Sequence, residues 1–182
     1  MKRFGLVLLV AALCVVAARP ATAQGLRYGV SAGLLMPMGD YNTGDKMGFV
    51  GGVGATYWLA GQPIGIRGDL SYSQTSHDEA VTVAGHTKIM GGMASVVYAL
   101  NPASAPARIL LNAGLGYYNV KIDATGAGSA SESKIGFGGG VAVAFKMGTG
   151  GTRLIVGTRY TSVSTTAKLT FLPITVGLTF GK

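Results

Sequence analysis

The sequence predicts an all-β fold: an eight-stranded antiparallel transmembrane up-and-down β-barrel that follows a cleaved signal peptide. Apolar residues alternate with small or polar residues in eight stretches of roughly ten residues, the length of a tilted strand that crosses a bilayer. Hydrophobic residues make up 48% of the chain and charged residues only 12%. After the first two dozen residues, no run is apolar and long enough for a transmembrane helix. Dispersed, alternating hydrophobicity therefore favours strands that face lipid on one side.

The N-terminus has the features of a secretory signal peptide. A basic start precedes an apolar run of 15 residues, and the small residues Ala21 and Ala23 form the predicted cleavage site. The run is shorter than the roughly 20 residues that a spanning helix needs. We therefore expect a signal peptide at residues 1–23 and one barrel domain at residues 24–182. The only cysteine, Cys14, lies in the signal, so no disulfide is expected in the barrel.

The first half of the barrel is predicted from four alternating stretches. Their approximate bounds are Leu26–Leu34, Met47–Leu59, Ile64–Tyr72 and Thr87–Leu100. The third is the clearest, because every second residue is apolar and the residues between are small or charged. The fourth is less regular, and its expected outward face is Met90, Ala94, Val96, Tyr98 and Leu100.

The second half repeats this pattern. Its strands are expected at about Arg108–Tyr117, Lys134–Phe145, Arg153–Tyr160 and Leu172–Phe180. The last strand is apolar on the face that holds Ile174, Val176, Leu178 and Phe180, and small or polar on the other. A strand edge exposed in a bilayer leaves unpaired backbone groups, so this strand should pair with the seventh and, closing the barrel, with the first.

The expected connections alternate in length. Those after strands one, three and five span about 11 to 13 residues, and those after strands two, four and six about 5 to 8. Long loops on one rim and short turns on the other are typical of outer-membrane barrels, and no helix is expected after the signal. The alternative is a soluble barrel, which would expose many Lys and Glu residues. Here the non-apolar face is mostly Gly, Ala, Ser and Thr, which fits the narrow interior of an eight-stranded barrel.

A few charged residues fall on the inward face. Arg67, Asp69 and Arg159 are expected to form a lumen charge cluster together with Lys134, in which the two arginines bracket Asp69. Because an unpaired charge in a narrow interior is costly, the cluster would act as a structural plug. The alternative is a constriction that repels cations in a pore.

The acidic residues are concentrated in the predicted long loops. They are Asp40, Asp45, Asp78, Glu79, Asp123 and Glu132. Loop solubility explains this placement, and the alternative is contact with divalent cations that bridge to lipopolysaccharide or to a partner.

Other motifs give no indication of catalysis or metal binding. His77 and His86 flank one loop without a cysteine, so no metal or other cofactor is expected. The net charge of the expected barrel is moderate and its basic residues are dispersed, so no nucleic-acid partner is expected. Aromatic residues near the strand ends are expected to form the two interfacial girdles of a membrane barrel. These are Tyr28, Tyr57, Trp58, Tyr72, Tyr98, Tyr117, Tyr118 and Tyr160.

The eight-strand pattern and the ending Ile-x-Val-x-Leu-x-Phe resemble the small eight-stranded outer-membrane barrels of the OmpA/OmpX type, in the outer membrane protein β-barrel domain superfamily. The resemblance covers the whole expected barrel. It implies a monomer in the cell outer membrane, in contact with lipid and lipopolysaccharide. It also implies that the barrel-assembly machinery recognises the last strand through Ile174, Val176, Leu178 and Phe180. Members usually end on the aromatic residue, whereas Gly181 and Lys182 follow it here, and no peptidoglycan-binding domain is expected after the barrel.

The expected role is structural or surface interaction: a closed barrel that displays long extracellular loops. The first alternative is a small channel for hydrophobic or small polar solutes. The second is a lipid-A-modifying enzyme, since some barrels of this size have that activity. Such an enzyme needs a serine, a histidine and an acid on the outer rim. Ser73, His77 and Glu79 are close in sequence, but the usual His-x-Ser pairing is missing, and no catalytic residue is expected.

Overall fold

The computed structural model describes residues 25–80, 84–126, 128–165 and 168–181. The predicted signal peptide at residues 1–23 and its cleavage site at Ala21 and Ala23 lie outside the described residues. Eight strands form one closed barrel in which each strand pairs with its sequence neighbour. This confirms the predicted all-β, antiparallel barrel.

The strands range from 11 to 19 residues. They are β1 (Leu26–Met38), β2 (Gly48–Trp58), β3 (Ile64–Ser76), β4 (Gly85–Ala99), β5 (Ala107–Ala124), β6 (Gly128–Lys146), β7 (Arg153–Val163) and β8 (Leu169–Phe180). One short helix, α1 (Tyr41–Gly44), lies between β1 and β2, where none was expected. Among the described residues, no helix has the length and apolar character that spanning a membrane would require.

The barrel closes through β8, as predicted. Tyr28 is opposite Phe180 and Leu34 is opposite Ile174 in the ladder that joins β1 to β8. The ladder that joins β8 to β7 is interrupted between Ile174 and Phe171. Pro173 lies there, and it has no backbone N–H to donate.

The hairpin of β5 and β6 differs most from the sequence prediction. These strands have 18 and 19 residues, and only residues 125–127 connect them, instead of a loop of about 12. Asp123 and Glu132 therefore lie within strands rather than in a loop. The Gly- and Ser-rich sequence has low strand propensity, but backbone pairing with a neighbouring strand continues the ladder regardless of side chain.

The outer face is apolar and the inner face is small, in agreement with the predicted alternation. Leu115 and Ile135 are 66% and 65% exposed on the outer face. The predicted outward face of the fourth strand is correct. Two residues expected in the aromatic girdles instead point inward: Tyr118 is 5% exposed, and Trp58 packs beside the inner cluster at Val97. Each directly follows an outward-facing tyrosine in its strand, Tyr57 before Trp58 and Tyr117 before Tyr118, and therefore occupies an inward-facing position.

Two rims bound the barrel. The turn rim consists of residues 59–63, 100–106 and 147–152, where β1 also begins and β8 ends. The loop rim consists of the connections after β1, β3, β5 and β7, and it includes α1. The upper layer of the lumen, near the loop rim, is apolar and is formed by Leu35, Tyr41, Val50, Ile89, Tyr118, Val120, Val163, Leu169 and Phe171. A lower layer, nearer the turn rim, is formed by Val97, Ala99, Leu110 and Ala144 with Trp58, Ala142 and Ile155.

The ring of Tyr118 occupies a pocket made by missing side chains. A Cβ at Gly116 would lie 2.7 Å from Tyr118 Cε2, and one at Gly136 would lie 3.0 Å from the same atom. A Cβ at Gly91 would overlap the ring at Cδ1. Glycines on three adjacent strands therefore leave the room that the ring needs, and the ring in turn fills the upper lumen against Phe171.

Candidate functional site

An ion cluster occupies the middle of the lumen. Arg67 Nη2 lies 2.6 Å from Asp69 Oδ1, and Arg67 Nε donates to the same oxygen at 2.7 Å. Arg159 Nη2 lies 3.3 Å from Asp69 Oδ2. The two arginines therefore bracket one carboxylate, and the cluster carries one net positive charge.

Uncharged residues complete this site. Arg159 Nε donates to Asn112 Oδ1 at 3.0 Å, and Arg159 Nη1 lies 3.2 Å from Met93 Sδ. The site thus joins β3, β4, β5 and β7. Asn112 and Met93 were not predicted as site residues from the sequence. The sequence contains one indication for Asn112, because an amide side chain at an inward strand position requires a polar partner.

The cluster faces a small cavity of about 130 Å³. Arg67, Asp69, Asn112, Arg159 and Tyr118 are among the residues that line it. This volume is enough for a few water molecules, which need polar partners of this kind.

Tightly packed residues separate this cavity from the loop rim. Leu35 is 1% exposed and Val163 is 0% exposed, so solvent does not contact either side chain. The lower layer separates the cavity from the turn rim in the same way, with Val97 4% exposed. In the part of the chain that the structure describes, packed layers therefore lie above and below the ion cluster, and the lower one leaves only a void of about 30 Å³ beside Arg67.

Lys134 does not belong to the lumen cluster, contrary to the sequence prediction. Its Nζ lies 2.9 Å from Glu132 Oε1, and it is 43% exposed. Because β6 extends beyond the apolar band, the inward position of Lys134 falls near the loop rim, level with Tyr118 of β5.

A hydrogen-bond chain closes the loop rim above the upper layer. The Tyr41 hydroxyl and Thr75 Oγ1 are 2.7 Å apart, and Thr75 Oγ1 donates to Asp45 Oδ1 at 2.6 Å. Thr75 is 2% exposed. Burial raises the pKa of Tyr41, which keeps the phenol protonated and able to donate. Helix α1 therefore acts as a lid that is bonded to β3.

The acidic residues predicted in the loops do not converge. Asp40 and Glu79 are exposed, Asp78 pairs with Lys46 at 3.2 Å, and Asp123 pairs with Lys88 at 2.9 Å and Lys121 at 3.0 Å. Among the described residues, no group of three or more His, Cys, Asp or Glu side chains is arranged to hold a metal ion. The Ala80 backbone N–H and then Lys46 lower the pKa of Asp78. Most of these carboxylates thus have protein cations or hydroxyls as partners.

The residues considered for catalysis lie in different surroundings. Ser73 is 4% exposed and lines the lumen cavity, whereas Glu79 is exposed on the loop rim. His77 Nε2 lies 3.3 Å from Thr87 Oγ1, and the backbone of His77 forms an isolated bridge with Asp45. His86 is exposed at the start of β4. Thus Ser73 is buried, His77 has a structural partner, and Glu79 and His86 face solvent.

The last strand presents its apolar face outward. Ile174, Val176 and Phe180 are 44%, 51% and 45% exposed, and Leu178 is half-buried. A contiguous apolar face at this position is available to lipid and to any factor that recognises the strand.

The barrel is similar in fold to several solved β-barrel structures. The attachment invasion locus protein Ail of Yersinia pestis, crystallised with the heparin analogue sucrose octasulfate, is 18% identical, with a TM-score of 0.56 and coverage of 86% of this chain and 100% of Ail. The N-terminal β-barrel domain of OprF from Pseudomonas aeruginosa is 14% identical, with a TM-score of 0.55 and coverage of 86% of this chain and 98% of that domain. OprG from the same organism is 12% identical, with a TM-score of 0.55 and coverage of 87% and 97%. At these identities the likeness establishes the fold.

No curated protein matches the chain. Its sequence does match the outer membrane protein beta-barrel domain family over residues 6–180, nearly the whole chain. The protein is therefore an outer-membrane β-barrel protein and belongs to the outer membrane protein beta-barrel domain family.

Proposed function

We propose that this protein is a non-conducting barrel with a structural or surface-interaction role, displayed from the outer membrane by its loop rim. The observation that carries the proposal is the filled lumen, with packed layers above and below the Asp69 ion cluster. A pore needs a continuous polar path, and residues such as Leu35 and Val163 interrupt it. The channel alternative would require both layers to move, together with the hydrogen-bonded lid at Tyr41.

We also propose that the protein is not an enzyme. A Ser–His–acid set needs side chains within hydrogen-bond reach of each other at a site that substrate can enter. Ser73 is buried in the lumen, and His77 has Thr87 as its neighbour. Mass analysis of lipid A from cells with and without the protein tests this point. A modified lipid A that depends on the protein would contradict it.

The loop rim is proposed to face the outside of the cell. Outer-membrane barrels carry short turns on the periplasmic side. The extension of β5 and β6 above the apolar band supports this orientation, because its outer face is polar. Ser131 and Ser133 are exposed on that face and accept hydrogen bonds from Asn119. Before insertion, the predicted signal peptide is proposed to export the chain across the inner membrane.

Cysteine labelling tests the orientation. Ser131→Cys should react with a membrane-impermeant maleimide on intact cells. Ser104→Cys, in the turn between β4 and β5, should react only after the outer membrane is permeabilised. The unsubstituted chain is the control, because its only cysteine, Cys14, lies in the predicted signal. Labelling of Ser104→Cys alone on intact cells would contradict the proposal.

Lipopolysaccharide is proposed as the lipid partner at this rim. Lys88 and Lys121 flank Asp123 on the outer face of the barrel, and together the three carry one net positive charge. Outward lysines just above an apolar band are well placed for anionic headgroups. The acids with lysine partners, such as Asp78, are less suited to the cation-bridging role considered from the sequence.

Thermal unfolding tests this partner. Bilayers that contain lipopolysaccharide should raise the Tm of the native protein more than that of Lys88→Gln/Lys121→Gln. Lys134→Gln, which removes an inward-facing charge at the same rim, is the control and should behave like the native chain. Equal stabilisation of all three proteins would contradict the contact.

The protein is further proposed to act as a monomer whose last strand, at Ile174 to Phe180, engages the barrel-assembly machinery.

A further inference from the structure

Three arginines surround the opening of the barrel at the turn rim. Arg27 of β1, Arg108 of β5 and Arg153 of β7 line a vestibule of about 810 Å³, together with Trp58 and Lys146. The same three arginines also line a small void of about 30 Å³ just above it. Their side chains therefore converge from three strands on one space, at the opposite end of the barrel from the displayed loops.

No carboxylate among the described residues neutralises these arginines. The acids of the described chain lie near the loop rim, except for Asp69, which pairs with Arg67 and Arg159 in the middle of the lumen. The charges of Arg27 and Arg153 act unfavourably on Arg108. Three converging like charges are costly unless an anion offsets them.

Fixed contacts hold the arginines in position. Arg153 donates to the carbonyl oxygens of Ala103 at 2.6 Å and Ala105 at 3.5 Å, and Arg108 Nε donates to Asn101 O at 3.2 Å. The guanidinium of Arg108 also lies 4.0 Å from the centroid of the Trp58 ring. Arg27 Nη2 donates to Gly151 O. The guanidinium groups are therefore ordered before any ligand arrives, which reduces the entropy lost on binding.

These contacts leave binding capacity unused. Each guanidinium has five N–H donors, and the carbonyl acceptors carry no negative charge. Arg27 Nε is buried and has no hydrogen-bond partner among the described residues. The contacts with the carbonyl oxygens stabilise the turns. Neutral hydrogen-bond donors would stabilise the turns equally well, without the repulsion between the three arginines. Among the described residues, an anion in the vestibule would give the Arg27 Nε a hydrogen-bond partner and the three guanidinium groups a counter-charge.

We propose that this vestibule binds a phosphoryl group that reaches it from the periplasmic side. Guanidinium groups pair with phosphate oxygens in a forked, bidentate manner, and three that converge from different strands suit a group with three terminal oxygens better than a carboxylate with two. The phosphoryl group is a phosphate monoester or terminal phosphate, carried either by a soluble phosphorylated compound or by a lipid of the inner leaflet with a monoester headgroup, such as phosphatidic acid.

Trp58 allows a direct test, because it is the only tryptophan in the chain. The refolded barrel in phosphatidylcholine nanodiscs is titrated with tripolyphosphate while tryptophan fluorescence is recorded. A saturable change that weakens at high salt is expected. Arg153→Gln and Arg27→Gln should each weaken the apparent affinity about tenfold, since each removes a charge-assisted contact while Arg108 still stacks on Trp58.

Lys134→Gln is the matched control, since it removes the same charge at the loop rim and should bind like the native protein. Different gel mobility of unboiled and boiled samples establishes that each variant is folded. No saturable change in the native protein, or equal affinity in all four proteins, would overturn the site. Equally tight binding of succinate would overturn its phosphoryl selectivity.

The lipid composition of the nanodiscs identifies the source of the phosphoryl group. Phosphatidic acid in the discs should weaken tripolyphosphate binding more than the same amount of phosphatidylglycerol, an anionic phosphodiester, if a lipid headgroup is the natural ligand. Unchanged tripolyphosphate affinity in those discs identifies a soluble ligand. Either result supports the site and separates the two sources. Because the vestibule lies at the opposite rim, this test does not depend on the proposed surface role.

Discussion

Asp69 of β3 and Arg159 of β7 form an ion pair across the lumen, with 3.3 Å between Asp69 Oδ2 and Arg159 Nη2. The two residues are 90 positions apart, and their strands are not neighbours in the barrel. The pair therefore braces the barrel across its axis rather than along its wall. Arg67 engages the other carboxylate oxygen, so Asp69 is the shared acceptor of the whole cluster.

Asp69→Asn should destabilise the folded barrel by about 3 kcal/mol, because it leaves the part-buried Arg67 and Arg159 without a counter-charge in the lumen. Urea-induced unfolding in lipid vesicles measures this change. Asp123→Asn is the control, since it removes a carboxylate from an exposed ion pair and should alter stability little. A loss no larger for Asp69→Asn than for the control would show that the lumen cluster does not brace the barrel.

Gly91→Ala should cost about 1–3 kcal/mol, because the added methyl group overlaps the Tyr118 ring and displaces it from the upper layer. Gly139→Ala, in β6, is the control variant. A Cβ there meets its nearest atom, Asn112 O, at 3.5 Å, an ordinary contact. Unfolding of the two variants side by side checks the prediction, and similar stability would contradict the ring pocket.

A disulfide should form in the variant Lys121→Cys/Ser131→Cys. These residues are direct partners in the β5–β6 ladder, well past the point where the sequence predicted a loop. The pair Lys121→Cys/Ser129→Cys is offset by two residues and should oxidise much less. Thiol titration after mild oxidation distinguishes them. Equal oxidation of both pairs would indicate a flexible loop in place of the extended hairpin.

Acidification should loosen the contact between the connections after β1 and β3. The Ala80 N–H and Lys46 lower the pKa of Asp78 in the folded state. The ionised Asp78 side chain therefore stabilises the fold at pH values above its ordinary pKa of 3.8, and this stabilisation is lost as the pH falls through the lowered pKa. The amide of Asp78 donates to Gly44 O at 2.9 Å and reports this contact. Its hydrogen-exchange protection factor should fall below pH 4 in the native chain. In Asp78→Asn it should be lower at neutral pH and change less; identical profiles would refute the assignment.

Alternation determines most of this fold, which is why the sequence predicted it well. In β8, apolar residues at every second position from Ile174 to Phe180 specify which face meets lipid, and closure against β1 follows from the need to pair every edge. The same rule failed for β5 and β6 beyond Tyr117, because the apolar residues of β5 change to the inward face at Tyr118 and Val120, and the Gly- and Ser-rich start of β6 has no apolar period. Hydrogen bonds such as that of Asn119 to Ser133 stabilise this extension instead.

The lumen was partly predictable for the same reason. Arg67, Asp69 and Arg159 were recognisable as charges on an inward face, but alternation gives the face and not the height along the barrel axis. Lys134 was therefore assigned to a cluster from which the shear of the strands separates it. The pocket for Tyr118 depends on Gly91, Gly116 and Gly136 meeting at one level, which is set by the register between strands. The vestibule arginines come together only through closure of the barrel.

Single-channel recording in planar bilayers tests the central claim most directly, namely that the layers above and below Asp69 close the lumen. The sample is the refolded barrel, first shown to be folded by its different gel mobility before and after boiling. No steady, uniform conductance steps are expected from the native protein. Reproducible steps of uniform size from the folded native barrel would contradict it and would support a channel.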